Sequence, residues 1–393
     1  MTFSSRFHWD LRPNRLTREL EERRRAGAEI LDLTESNPTR AGLKYPDEIV
    51  RAFTDPRILE YRPSAAGLEE AREAVAEYYA ARGERVDPRR ILLTASTSEA
   101  YGYLFKLLCD PGDYVLAPRP SYPLFDFLAA MESVEIRQYS VGQAASLPGA
   151  GSAPSARGQA RARQSASRPT PRAIVLVNPN NPTGTYVKRS ELTELEQLDV
   201  PLISDEVFSD YAFAPDADRV PVVATAVRHC LAFSLSGLSK IAGLPQMKLG
   251  WIVVGGPEQL CAEAMEKLEW IADTYLSVST PVQCAARELL AAGERVQRQI
   301  RERTAANLAF ARTALAGTAA TVLDVEGGWY VTIRVPRIRS EEEWAVELLT
   351  RHGVLVQPGF FFDFEVEAYL VASLLTEPGV FQEGIRRLAS ELE

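Results

Sequence analysis

The chain has 393 residues, 46% of them hydrophobic and 25% charged, enough for a large core and more than one small domain needs. Its 44 Lys and Arg against 53 Asp and Glu give a net charge of −9, which argues against a nucleic-acid surface because phosphate binding needs basic excess. No stretch approaches the ~20 apolar residues of a membrane span.

Residues 1–43 read as an arm: a polar start, a basic helix around Leu16–Arg25 and a short strand at Ile30–Leu33. From Leu68 the apolar residues Leu68, Ala71, Val75 and Tyr78 share a helical face, and Gly83 ends the run. Short apolar strands then alternate with helices. The expected strands are Ile91–Thr94, Tyr114–Ala117, Val134–Tyr139, Ala173–Asn178, Pro201–Ser204, Leu231–Ser234 and Leu249–Val254. Continuous apolar runs such as A-I-V-L-V between helices imply strands buried on both faces, so the fold class is α/β with a largely parallel sheet. Gln143–Arg172 is rich in Ala, Ser, Gly, Pro and Arg and cannot build a core, so an exposed loop or disordered insertion is expected there. A helical stretch near Val282–Leu315, strands at Thr321–Val325, Trp329–Val335, Val354–Val356 and Tyr369–Leu374, a helix at Glu341–His352 and a last helix read as a smaller α+β lobe. The expected division is 1–43 (arm and part of the small domain), 44–295 (large domain) and 296–393 (small domain).

The four cysteines, Cys109, Cys230, Cys261 and Cys284, lie in apolar stretches without pairing rhythm and read as reduced, buried thiols. His8, His229 and His352 are too far apart in sequence to suggest a metal cluster. With no apolar leader at Met1–Asp10, a reducing cytoplasm is the expected location.

Four segments could carry chemistry. In S-L-S-G-L-S-K at 234–240, a lysine follows small hydroxylic residues at a strand's end. Desolvated there it loses its proton readily, as imine formation requires; otherwise it is a loop lysine. N-P-N-N-P-T-G at 178–184 follows the A-I-V-L-V strand, where open α/β sheets bind ligands, and can aim the Asn181 amide at a ligand oxygen. A structural Asx/Pro turn is the plainer alternative. P-L-I-S-D-E-V-F at 201–208 puts Asp205 at a buried strand's end, suited to a pyridinium nitrogen or to an ordinary cap or ion pair. L-T-A-S-T-S-E-A-Y at 93–101 runs from strand through a hydroxyl-rich turn into a helix, a dianion site or a plain N-cap.

In this order and spacing the four segments resemble the aspartate-aminotransferase superfamily, the class I/II aminotransferases of pyridoxal-phosphate fold type I. Y-R-P-S-A-A-G-L-E-E-A-R at 61–72, D-P-G-D-Y-V at 110–115, P-S-Y-P at 120–123 and Pro358-Gly359 extend the resemblance over most of the chain. It implies pyridoxal 5'-phosphate (PLP) held as a Schiff base on Lys240, which also shuttles the substrate proton. It implies that Asp205 pairs with the pyridinium nitrogen, that Asn181 donates to the phenolic oxygen and that Tyr122 stacks on the ring. Ser96, Thr97, Ser98, Ser239 and Lys248 would hold the phosphate, joined by Tyr61 from a partner subunit in a homodimer. Asn37, Arg40 and Arg62 are the candidates for the substrate end. The implied reaction moves an amino group between an amino acid and a 2-oxo acid. The alternative on the same residues is a PLP-dependent lyase performing carbon–sulfur β-elimination.

Departures from the family pattern fall at defined places. Lys248 stands where an arginine usually clamps the phosphate, a point charge in place of a fork. Gly237 replaces a serine, and Phe208 replaces a tyrosine that donates to the phenolic oxygen. In Y-L-V-A-S at 369–373, Val371 occupies the place of the arginine that binds the substrate carboxylate. Either Arg40 or Arg62 (Arg334 being a weaker substitute) takes over, or the substrate lacks that contact. Trp329, Phe360 and Phe361 are candidates for an apolar pocket or for core. A non-catalytic regulator would need a helix–turn–helix unit, which the first forty residues lack, and no G-x-G-x-x-G opens a βαβ unit for a dinucleotide.

Overall fold

The structure, a computed structural model, describes residues 12–141, 170–366 and 368–392 together with 3, 4, 6 and 9. All of the low-complexity segment except 170–172 lies outside these residues. Strand β1 (Leu31–Asp32) belongs to the arm, and seven strands form the main sheet: β2 (Ile91–Thr94), β3 (Tyr114–Arg119), β4 (Glu135–Ser140), β5 (Ile174–Val177), β6 (Leu202–Asp205), β7 (Ala232–Gly237) and β8 (Gly250–Gly255). Their order is β2-β8-β7-β6-β5-β3-β4, and only β8 runs antiparallel to its neighbours. All seven strands stand within a residue or three of the ends expected from sequence, as does the α/β class.

The apolar runs are explained by what covers them. β2, β5, β6, β7 and β8 are buried along all or nearly all of their length, because helices pack on both faces of the sheet. One face, with Val115, Val175, Ile203 and Phe233, packs on the helices Thr97–Leu108 and Glu258–Asp273. The other, with Leu116, Ile174, Leu202 and Ala232, packs on Leu192, Leu195 and Val223. At ~1.5–3 kcal/mol per fully buried aliphatic side chain, these two layers supply most of what holds the sheet together.

The second lobe is built on the antiparallel strands β9 (Thr321–Val322), β10 (Tyr330–Arg334), β12 (Gln357–Pro358) and β13 (Tyr369–Ser373), in the order β12-β13-β10-β9. Strand β11 (Val354–Leu355) pairs in parallel with β1, which ties the arm to this lobe. Its core joins Leu31 and Leu33 of the arm to Val331, Trp344 and Phe381. The helix Ala286–Ala314 runs unbroken between the two cores: Leu289, Val296 and Ile300 belong to the first, Leu308 and Ala311 to the second. A division at 295–296 therefore falls inside one helix. The two-residue strand β12 carries no periodic signal and was not expected.

The four cysteines are free, three of them buried and Cys109 half-buried. Among the described residues no group of His, Cys, Asp and Glu could hold a metal ion, and no helix is long and apolar enough to cross a membrane.

Candidate active site

Every segment singled out for chemistry follows the carboxyl end of a parallel strand. β2 leads to Ser96–Ser98, β3 to Tyr122, β5 to Asn181, β6 ends on Asp205 and β7 leads to Lys240. That is the edge at which open α/β sheets bind ligands. These residues, with Ser239 and Lys248, line one cleft of about 1500 Å³, counting the solvent it opens to.

The Lys240 amine lies 5.1 Å from the centre of the Trp329 ring and 5.7 Å from that of Phe208. Burial pushes its pKa below the usual lysine value, and the Asp205 carboxylate opposes that shift. Tyr211 fixes the backbone beneath it by donating to the Lys240 carbonyl at 2.5 Å. Trp329 is fully buried core. Phe360 and Phe361 are absent from the cleft wall, and Phe362 lines it instead.

Burial raises the pKa of Asp205 to about 6, against the N–H of Val207, the Tyr101 hydroxyl and Lys240, which lower it. Both hydrogen bonds are long, 3.3 Å from Val207 and 3.4 Å from Tyr101. A carboxylate so placed has unspent capacity for a cation. Its neighbour Glu206 is spent differently: its Oε1 accepts from the Val223 N–H and the Ser234 hydroxyl, and burial raises its pKa to about 8.

The loop after β5 divides its labour. Asn178 donates to the Val220 carbonyl and accepts from the Val187 N–H, while Asn180 donates to the Pro120 carbonyl and to Thr183. Asn181 is buried, and its Oδ1 has no partner among the described residues. Gly184 makes the turn at φ +72°, where a Cβ would lie 2.2 Å from a Val325 methyl. Asn180 Oδ1 is likewise without a partner among the described residues, but of the three asparagines only Asn181 lines the cleft.

At the helix Thr97–Leu108, Ser96 caps the first turn by accepting from the Glu99 N–H. The Thr97 and Ser98 N–H groups have no acceptor within the helix and carry its positive end. Gly250 brings β8 against them, since a Cβ there would meet the Ser96 carbonyl carbon at 3.2 Å. Gly237, opposite Gly250, has a physical cause: a Cβ would lie 2.8 Å from the Leu249 carbonyl oxygen, so serine does not fit.

Other expected residues are placed elsewhere. Tyr61 is 82% exposed and, like Arg62, lies outside its own chain's cleft wall. Arg62 pairs with Glu70 at 2.9 Å. Asn37 turns inward on its own loop and accepts from Thr39, and Arg40 is exposed. Arg334 is exposed on β10, and Val371 is buried in β13. Tyr122 lines the cleft and is 47% exposed. Four polar cleft residues had no role assigned from sequence: Ser36, Tyr101, Tyr330 and Gln357. Tyr101 closes the L-T-A-S-T-S-E-A-Y segment one turn past Thr97, which was the one signal available for it.

These residues fit a phosphorylated pyridine aldehyde. A half-buried, under-partnered carboxylate suits a ring N–H, an amine of lowered pKa suits the aldehyde, an amide that lines the cleft suits a ring oxygen, and a helix N-terminus with hydroxyls suits a phosphate.

The sequence profile of aminotransferase class I and II matches residues 28–379. The glutamate–pyruvate aminotransferase AlaA of Escherichia coli K12 is 28% identical over 271 residues, a match covering 67% of this chain and 64% of that relative's length. The protein of the same name from Haemophilus influenzae is 25% identical over 92% of this chain and 90% of its own. Among solved structures, an alanine aminotransferase from Pyrococcus furiosus superposes with a TM-score of 0.80 at 22% identity, covering 96% of this chain and 95% of that one. The chain belongs to the class I and II aminotransferase family.

Proposed function

We propose that this chain is a PLP-dependent aminotransferase that moves an amino group between an amino acid and a 2-oxo acid. The observation that carries the reading is the convergence of Lys240, Asp205 and Asn181 from the ends of three parallel strands on one cleft, in a family member.

Bound PLP supplies an aldehyde that condenses with amines and a ring that withdraws electrons from the substrate carbon. Lys240 would be the covalent attachment point for the cofactor and the base for the proton on the substrate α-carbon. Its lowered pKa favours the neutral amine that both tasks need. Asp205, ionised, holds the ring nitrogen protonated. Asn181 would donate to the ring oxygen, and Tyr122 would cover the ring. Ser96, Thr97, Ser98 and Ser239 hold the phosphate with Lys248, whose single ammonium grips less tightly than a guanidinium fork. Tyr61, turned away from its own cleft, serves the phosphate of a partner subunit, so the working unit is a homodimer. Asn37, Arg40 and Arg62 remain proposed for the substrate end, Arg62 across the same interface. The domain division 1–43, 44–295 and 296–393 is part of this reading, with the helix Ala286–Ala314 as the shared beam. Free cysteines support a reducing, cytoplasmic setting.

The test is an amino-donor panel on the PLP-loaded protein with 2-oxoglutarate and pyruvate as acceptors. Glutamate–pyruvate transfer is the first pair to assay, given the relatives' names. Appearance of the acceptor's amino acid is expected. Ammonia and an oxo acid without transfer would favour the lyase instead.

A further inference from the structure

The substrate end of the cleft contains no arginine. Among the described residues that line it, the cations are Lys240 and Lys248, both assigned to the cofactor, and the one carboxylate is Asp205. Val371 sits on the central strand β13, directly opposite Thr332 of β10 on one side and Gln357 of β12 on the other. Residues directly opposite in antiparallel strands point to one face of the sheet, so Thr332 and Gln357 flank Val371 on that face. Tyr330, two residues before Thr332, shares it, and both Tyr330 and Gln357 reach the cleft.

Arg334 lies on the same face but is exposed and outside the cleft wall, so next to Val371 the face offers only the uncharged polar groups of Thr332 and Gln357. Thr332 Oγ1 and Gln357 Oε1 are buried with no hydrogen-bond partner among the described residues, as is Asn181 Oδ1. Gln357 as a whole is only half-buried. Its Nε2 is not among the buried unpartnered atoms, which leaves the N–H₂ as the end open to the cleft. A carboxylate oxygen accepts hydrogen bonds, so it is this open N–H₂ and not the buried Oε1 that it can pair with.

We propose that Gln357 determines substrate specificity by donating from Nε2 to the substrate carboxylate, in the place that Val371 leaves without a charge. The inference rests on the transaminase reading above. One neutral donor offers a single hydrogen bond where a guanidinium offers two and a full charge. Recognition through Gln357 discriminates weakly between a carboxylate and the matching carboxamide, whereas a strong preference for the acid would assign the carboxylate to Arg40 or Arg62 instead. A negative charge at position 357 would separate the two.

The experiment uses PLP-loaded wild-type protein, Gln357→Glu and Gln357→Leu, each checked for folding by near-UV circular dichroism. The probes are 2-methylalanine and its amide, which have no α-hydrogen, so an absorbance titration reads binding without turnover. Wild type binds the acid and the amide within about tenfold of each other. Gln357→Glu weakens the acid by at least about 30-fold and leaves the amide within about threefold; Gln357→Leu weakens the acid by about 10- to 100-fold, the range for a hydrogen bond to a charged group. Acid binding within threefold of wild type in either folded variant would overturn the inference, as would a wild type that binds the acid more than 100-fold better than the amide. Failure of the whole donor panel in wild type would instead remove the transaminase reading.

Discussion

At the scale of single residues, the site is a set of groups held away from their comfortable states. Asp205 is the clearest. An aspartate ordinarily titrates near 3.8, and here burial lifts it to about 6. A carboxyl whose pKa is raised by folding stabilises the fold fully below its unfolded value, and that contribution is lost as pH rises through the folded value. In cofactor-free protein, Asp205→Asn is therefore expected to match wild type below about pH 4 and to be the more stable above pH 6. Thermal unfolding midpoints from pH 4 to 8 check this; a difference that does not vary with pH would count against it. That Asn181, Asp205 and Lys240 meet in one cleft was legible because strand, turn and residue type coincide at each of them. Ser36, Tyr330 and Gln357 had no such signal, since each is far in sequence from the strand-end segments and reaches the cleft only when the second lobe packs.

At the scale of elements, strand ends do the positioning. The seven strands of the main sheet were legible because parallel strands covered on both faces need unbroken apolar runs, which A-I-V-L-V displays. Strand β12 was not legible, because two residues carry no period. Glycines fix how closely the elements approach. Gly237 faces Gly250 where β7 and β8 carry Lys240 and Lys248 into the cleft, and the Leu249 carbonyl occupies the space of a side chain. Gly237→Ser, although it restores the residue more usual in the family, is expected to destabilise the fold by about 1–3 kcal/mol, as overpacking does. Denaturant unfolding measures this, and an unchanged midpoint would show that the strands can part at no cost.

At the scale of the whole molecule, the cleft draws its walls from both lobes, with the cofactor residues on the main sheet and Tyr330 and Gln357 on the second. Tyr61 and Arg62 stand outside their own cleft, and the sequence placed them only through family resemblance, because contacts between subunits leave no periodic mark in one chain. If Tyr61 serves a partner's phosphate, then Tyr61→Ala and Lys240→Ala, each impaired alone, should recover activity when co-expressed. The hybrid dimer then holds one site with both residues intact. No recovery, with hybrids verified by mass, would place Tyr61 outside the shared site.

The central claim is that Lys240 is the covalent anchor of the cofactor. Borohydride reduction of the PLP-loaded protein followed by peptide mass mapping tests it most directly. One phosphopyridoxyl adduct is expected, on the peptide containing Lys240, and none in Lys240→Ala. An adduct on Lys248 or another lysine, or no adduct in a protein that binds PLP, would contradict it.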